Sequence, residues 1–182
     1  MSNNQQIIIS GLGGQGVLFI TKLLASAAMA DNLPVLTSET HGMAQRGGNV
    51  ISYLKIGDFS GPLIRPATAD VLIALKAESF AHHCYFLKPG GLAVVNSPGP
   101  VVDERYNVFS GDAAALADKA GDARNENVAM LGFFLGAMEN ESRLFSPDSL
   151  ARMIKDKFRA KPAVAANVLS LLESGMQLYN KR

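Results

Sequence analysis

The sequence predicts an α/β protein with three α/β/α layers, in which a mostly parallel, Rossmann-like sheet precedes a helical C-terminal third. Short aliphatic runs alternate with helical patterns over roughly the first hundred residues. These runs are continuous rather than alternating, as in strands buried on both faces. Beyond residue 111 the apolar spacing becomes helical. No repeat or linker-like segment divides the 182 residues, so we expect a single domain over residues 1–182.

The strands are predicted from runs of β-branched and other aliphatic residues. Ile7 to Ile9 form the first run, which leads directly into a glycine-rich turn. A second strand begins at Val35, and a weaker candidate lies at residues 106–109. Pro89-Gly90-Gly91 predicts a turn before the fifth strand. The remaining strand candidates are residues 50–56, 71–75 and 92–95.

The helices are predicted from apolar residues at helical spacing and from capping signals. The first helix begins at Val17, and a short helix is expected near residues 78–87. Ser146 and Pro147 have the order typical of a helix start, an N-cap hydroxyl followed by a first-turn proline. Pro162 opens the last helix, whose predicted inward face contains Val164, Val168, Leu171, Leu172 and Met176.

The longest apolar run, residues 128–138, predicts a helix that is apolar on all sides and is therefore buried. Gly132 and Gly136 lie four residues apart and allow another backbone to approach closely. That backbone belongs either to this fold or to a partner subunit. The run is too short for a membrane span, and the polar N-terminus does not resemble a signal peptide, so we expect a cytoplasmic protein without a membrane partner.

Composition excludes several classes of protein. A chain with 48% hydrophobic and 18% charged residues is not a disordered one. Seventeen basic and sixteen acidic residues give a net charge of +1, which provides no basic patch for nucleic acid. A single cysteine, Cys84, cannot form an internal disulfide, hold an iron–sulfur cluster or build a cysteine-type zinc site.

The pattern Gly11-x-Gly13-x-x-Gly16 lies between the first strand and the first helix, where a nucleotide-binding fingerprint belongs. Glycines permit a tight turn, and the helix start offers free N–H donors to an anion. Against a dinucleotide site, Glu39 is the only candidate for a ribose-binding acid and is poorly placed for it. The turn therefore fits binding of some phosphate or anion, a dinucleotide site, or a purely structural turn at a subunit contact.

A second loop, residues 39–48, is too polar for the core and too specific in its side chains for a linker. Arg46 precedes two glycines, an arrangement that presents a guanidinium beside backbone that can approach a carboxylate or phosphate. Loops after parallel strands emerge at the same edge of the sheet, so we expect this loop to face the glycine turn. His41 in the same loop is more typical of a structural hydrogen-bonding residue than of a titrating one.

No arrangement in the sequence predicts a catalytic residue or a metal site. No Ser/His/Asp set or carboxylate pair is recognisable. His82-His83-Cys84 superficially suggests a metal, but neighbouring residues on a helix diverge by about 100° and do not easily share one ion.

Together, Gly11-Leu12-Gly13-Gly14-Gln15-Gly16-Val17 and Glu39-Thr40-His41-Gly42-Met43-Ala44-Gln45-Arg46-Gly47-Gly48 resemble the gamma-type subunit of 2-oxoacid:ferredoxin oxidoreductases. This group includes enzymes for pyruvate, 2-oxoglutarate, 2-oxoisovalerate and indolepyruvate, and the second motif is closest to the beta subunit of the indolepyruvate enzymes. The resemblance covers nearly the whole chain. One departure is Lys76, at a position after the middle strand where the family often has Glu.

The resemblance implies a non-catalytic subunit of a complex that decarboxylates a 2-oxoacid and releases an acyl-CoA. Thiamine diphosphate and iron–sulfur clusters are then expected on partner subunits, which pass electrons to ferredoxin. This chain would support the active centre, and its two loops suit the phosphates of coenzyme A. The alternatives are a stand-alone dinucleotide-binding oxidoreductase and a nucleotide-sensing module. The predicted cofactor-binding residues are Gly11, Gly13, Gly14, Gln15, Gly16, Thr40, Gln45, Arg46, Gly47 and Gly48.

Overall fold

The computed structural model describes residues 4–39, 48–138 and 145–180 and contains one six-stranded sheet. The strands lie side by side in the order β2-β3-β1-β4-β5-β6. Their bounds are β1 Gln5–Leu12, β2 Val35–Glu39, β3 Asn49–Ile56, β4 Ala69–Ala74, β5 Leu87–Asn96 and β6 Asn107–Gly111.

The sheet is mostly parallel, as expected. β1, β4, β5 and β6 pair in parallel. β3 is antiparallel to both of its neighbours, β1 and β2. Since two reversals restore the direction, β2 runs parallel to β1 but is separated from it by β3. The carboxyl ends of β1 and β2 therefore lie at the same edge of the sheet.

Two hydrophobic clusters of unequal size pack on the two faces of the sheet, and the α/β class is confirmed. The larger cluster joins one face to five helices. The smaller one is covered by α2, a short 3-10 helix at Cys84–Phe86 and connecting segments that include Ile64. The helices are α1 Val17–Ala30, α2 Ala77–His83, α3 Ala113–Lys119, α4 Glu126–Met138, α5 Pro147–Lys157 and α6 Pro162–Asn180.

α4 is buried from Asn127 to its end, and its glycines contact α6 of the same chain. A Cβ on Gly132 would overlap the carbonyl oxygen of Leu172, and one on Gly175 would overlap that of Ala129. A Cβ on Gly136 would lie 2.9 Å from the carbonyl oxygen of Met176. Of the two possibilities left open by the sequence, close approach within the fold is therefore the one observed.

Several local predictions differ from the structure. The predicted turn at Pro89-Gly90-Gly91 lies inside β5, where the pairing register with β4 shifts and Gly90 has a φ of 71°. Val164 was expected to face inward but is 38% exposed, because α6 turns it away from the buried Ala165 and Val168. The Ser146 hydroxyl forms no cap hydrogen bond, although Pro147 does open α5.

Across the described ranges, no helix combines the length and apolar character needed to cross a membrane.

Candidate functional site

The glycine turn lies at the carboxyl edge of the sheet, directly after β1. α1 packs on one face of the sheet and α2 on the other, so the chain leaves β1 and β4 toward opposite faces. In open α/β sheets, the crevice outside the strand ends at such a switch point is the usual place for a ligand. The fold therefore places the turn where a binding site is expected.

Different structural reasons favour glycine at the different positions of the turn. Gly11 is buried, and a Cβ there would lie 3.0 Å from Leu75 and 3.1 Å from Gln15 Oε1. Gly16 has a φ of 85° and lies against the side chain of Asn127 on α4. Gly14 has a φ of 100°, is exposed, and has open space where its Cβ would lie. Gly14 is thus the glycine of this group whose backbone faces outward.

Gln15 directs its side chain into the protein. Its Oε1 accepts a hydrogen bond from the Leu12 N–H at 2.7 Å. Its Nε2 donates to Glu126 Oε1 at 2.7 Å and, more weakly, to the Leu75 carbonyl at 3.4 Å. The amide thus joins the glycine turn to the end of β4 and to the start of α4.

The two predicted loops meet where the structure describes both of them. The backbone N–H of Gly13 donates to the carbonyl of Gly48 at 2.9 Å. Gly48 precedes β3, whose first residue Asn49 pairs with Leu12. Gly11, Gly13, Gly14, Gln15, Gly16 and Gly48 are therefore brought together; Thr40, His41, Gln45, Arg46 and Gly47 lie outside the described residues.

Glu39 ends β2, and β3 separates it from β1. Neighbouring strands are about 4.8 Å apart, so two strand spacings put the backbone of Glu39 roughly 10 Å from that of β1. In a dinucleotide-binding fold the acid follows a strand that is the direct neighbour of β1. This topology disfavours Glu39 as a ribose-binding residue.

A cleft of about 450 Å³ opens beside the turn, along the carboxyl ends of β4, β5 and β6. Lys76 follows β4 at the rim, and Asn96 at the end of β5 is buried and hydrogen-bonded to the Leu75 carbonyl and the Ala113 N–H. The charged side chains that line the cleft are Lys76, Glu78, Asp112, Asp118 and Glu126. The charged lining of the cleft is therefore mainly acidic. Glu126 connects the cleft to the turn, since it lines the cleft and accepts the hydrogen bond from Gln15.

The two histidines of α2 contact the end of β1 and the start of β3, next to the glycine turn. Ser10 Oγ and His83 Nδ1 are 2.7 Å apart, and Ser10 is fully buried just before the turn. Burial lowers the pKa of His83 below its ordinary value, which favours the neutral imidazole. His82 Nδ1 lies 3.3 Å from Asn49 Nδ2. Among the residues that the structure describes, no three His, Cys, Asp or Glu side chains converge as metal ligands.

Sequence reasoning missed the contributions of Glu126 and Asn127. Gln15 and Glu126 are 111 positions apart, and no periodicity or local motif links residues at such a distance. The only signal was the unusual glutamine inside the glycine pattern.

Comparisons with known proteins show which family and which fold this chain resembles. A family model described as pyruvate ferredoxin/flavodoxin oxidoreductase matches residues 6–178. An indolepyruvate oxidoreductase subunit IorB of Archaeoglobus fulgidus is 34% identical over 176 residues, covering 85% of this chain and 86% of that protein.

Two solved structures share the fold. One is a 2-oxoglutarate:ferredoxin oxidoreductase from Magnetococcus marinus with 2-oxoglutarate, coenzyme A and succinyl-CoA bound, at a TM-score of 0.82 and 23% identity; the match covers 100% of this chain and 32% of that longer one. The other is the gamma subunit of a keto/oxoacid ferredoxin oxidoreductase from Geobacter sulfurreducens, at a TM-score of 0.79 and 21% identity, covering 98% of this chain and 99% of that one.

Proposed function

The chain belongs to the pyruvate ferredoxin/flavodoxin oxidoreductase family, and we propose that it is a gamma-type subunit of a 2-oxoacid:ferredoxin oxidoreductase complex. Such a complex converts a 2-oxoacid to an acyl-CoA by oxidative decarboxylation. We place thiamine diphosphate and the iron–sulfur clusters on partner subunits, since one cysteine cannot ligate a cluster. Electrons would reach ferredoxin through those partners, and the complex would work in the cytoplasm.

The observation that carries the proposal is the meeting of the two glycine segments at the carboxyl edge of the sheet. The Gly13–Gly48 hydrogen bond joins them, and α1 opens immediately afterwards at Val17. The first amides of a helix have no partners within it, and they favour a negative ligand. We propose that these amides, with Arg46 from the second loop, hold phosphate groups of coenzyme A.

In this role residues 1–182 act as one domain that supports the active centre without reacting itself. The part of the chain that the structure describes offers no metal-ligand set. Binding of coenzyme A at the glycine turn would position its thiol toward the thiamine diphosphate of the neighbouring subunits. Dinucleotide binding, as an oxidoreductase or a sensor, is less well supported because β3 stands between Glu39 and the turn.

The decisive experiment compares the isolated chain with the reconstituted complex. The isolated chain should not oxidise 2-oxoacids or reduce ferredoxin, whereas the complex should do both in a manner that depends on coenzyme A. Mass spectrometry of co-purified proteins should identify thiamine-binding and cluster-bearing partners. Full redox turnover by the isolated chain would contradict the proposal.

Arg46→Ala tests the proposed coenzyme A-binding role of the second loop. Loss of a charged hydrogen bond to phosphate is expected to weaken coenzyme A-dependent turnover about tenfold or more. The melting temperature of the chain should change little, since the sequence predicts Arg46 in a polar loop, where a single charge contributes little to stability. Arg65→Ala is the matched control, because Arg65 is an exposed arginine between β3 and β4, at the edge of the sheet opposite the turn. Wild-type kinetics in Arg46→Ala would remove that residue from the site.

A further inference from the structure

We propose that Gln15 and Glu126 form a pair of positioning residues that hold the glycine turn in the shape that binds coenzyme A. The inference rests on the proposed function and assigns to α4 a part in the site that the sequence motifs do not indicate. Neither side chain needs to touch the ligand. Their effect is on the backbone amides of the turn.

Gln15 closes the turn onto Leu12 from two sides. Its backbone N–H donates to the Leu12 carbonyl at 3.1 Å, and its side-chain Oε1 accepts from the Leu12 N–H at 2.7 Å. Between these two closures the Gly13 N–H is bonded to the Gly48 carbonyl, and Gly14 is exposed. Without the side-chain bond, one of these two closures is lost.

The remaining end of the Gln15 amide is anchored on α4. Its Nε2 donates to Glu126 Oε1 at 2.7 Å, and a hydrogen bond to an ionised acceptor is roughly twice as strong as a neutral one. The anchor is rigid because α4 is buried from the next residue onward. That next residue, Asn127, lies directly against Gly16. The start of α4 thus contacts the turn at two successive residues.

A turn that is held in this way presents the exposed Gly14 and the first amides of α1 without a further ordering step on binding. Preorganised donors bind a ligand more tightly because less conformational entropy is lost. Weakening the pair should therefore raise the dissociation constant of coenzyme A while leaving the chemistry on the partner subunits unchanged. This is a KM effect with kcat preserved.

The experiment uses three variants of nearly equal side-chain shape in the reconstituted complex. Gln15→Glu places two carboxylates at hydrogen-bond distance and should raise both the KM and the equilibrium dissociation constant for coenzyme A about tenfold, with kcat within twofold. Glu126→Gln replaces the amide–carboxylate hydrogen bond with a neutral amide–amide hydrogen bond. It should change either constant less than threefold. The double variant restores a carboxylate–amide bond in the reverse sense and should return both constants to within threefold of wild type.

Asp58→Asn is the control, since Asp58 is an exposed carboxylate that follows β3 at the edge of the sheet opposite the turn; it should leave both constants unchanged. If Gln15→Glu lowers the melting temperature by several degrees, Gln15→Met replaces it, because methionine removes the amide without adding charge. Unchanged coenzyme A binding in the Gln15 variants, or no rescue in the double variant, would overturn the inference. Absence of coenzyme A-dependent turnover in the wild-type complex would instead overturn the proposed function.

Discussion

The glycine turn after β1 and the glycine contact between α4 and α6 use the same residue type for opposite reasons. At Gly132 and Gly175 there is no space, because a backbone carbonyl of the facing helix occupies the position of the missing Cβ. At Gly14 there is open space, and only the φ of 100° favours glycine. The first region is stabilised by packing and the second by backbone conformation, so equal substitutions should have unequal effects.

Gly132→Ala should have the largest effect on stability. The new methyl would overlap the Leu172 carbonyl, and backbone cannot move aside as a flexible side chain can. Overpacking of this kind costs about 3 kcal/mol, measured as the free energy of unfolding in urea. Gly61→Ala is the control: its Cβ would meet nothing within 4 Å, so its stability should stay within about 1 kcal/mol of wild type. Equal stabilities of the two variants would contradict the close-packing interpretation of α4 and α6.

Gly14→Ala should have an intermediate effect, about 1 kcal/mol on the free energy of unfolding, because an L residue is strained at positive φ. Gly14→Asn provides a direct comparison, since asparagine tolerates left-handed backbone better than alanine. We expect asparagine to recover part of the lost stability in the same urea titration. A loss at Gly14→Ala as large as at Gly132→Ala would mean that hidden packing, rather than backbone conformation, selects glycine in the turn.

The smallest effect should be the pH dependence that His83 contributes to the free energy of unfolding. Burial lowers the pKa of His83 in the folded chain below its ordinary value of about 6.5. Between the folded and the unfolded pKa, the unfolded chain therefore binds a proton at His83 and the folded chain does not. Stability contributed by neutral His83 is therefore present above about pH 6.5 and falls as the pH drops below it. Urea titrations at pH 7.5 and pH 5.5 should show a smaller difference for His83→Gln than for the wild type. An identical difference in both proteins would exclude His83 as the source.

The position of the glycine turn could be predicted because its signals are local. Ile7 to Ile9 followed by Gly11 and Gly13 specify a buried strand and a tight turn within a few residues. The second loop was predicted at the edge where β1 ends; of residues 40–48 the structure describes Gly48, which bonds to Gly13 because β3 pairs antiparallel with β1. The opposed roles of Gly14 and Gly132 could not be predicted, since both depend on what lies where a Cβ would be.

The amino-acid sequence alone determined the α/β class, the position of the turn and the burial of α4, because hydrophobic periodicity and turn chemistry act between near neighbours. Only the tertiary structure decided that β3 lies antiparallel between β1 and β2, that Gln15 turns inward to Glu126, and that α6 packs against the glycines of α4. Each of these pairings joins segments distant in sequence. Their geometry follows from the packing of the whole sheet and its helices, which no local pattern specifies.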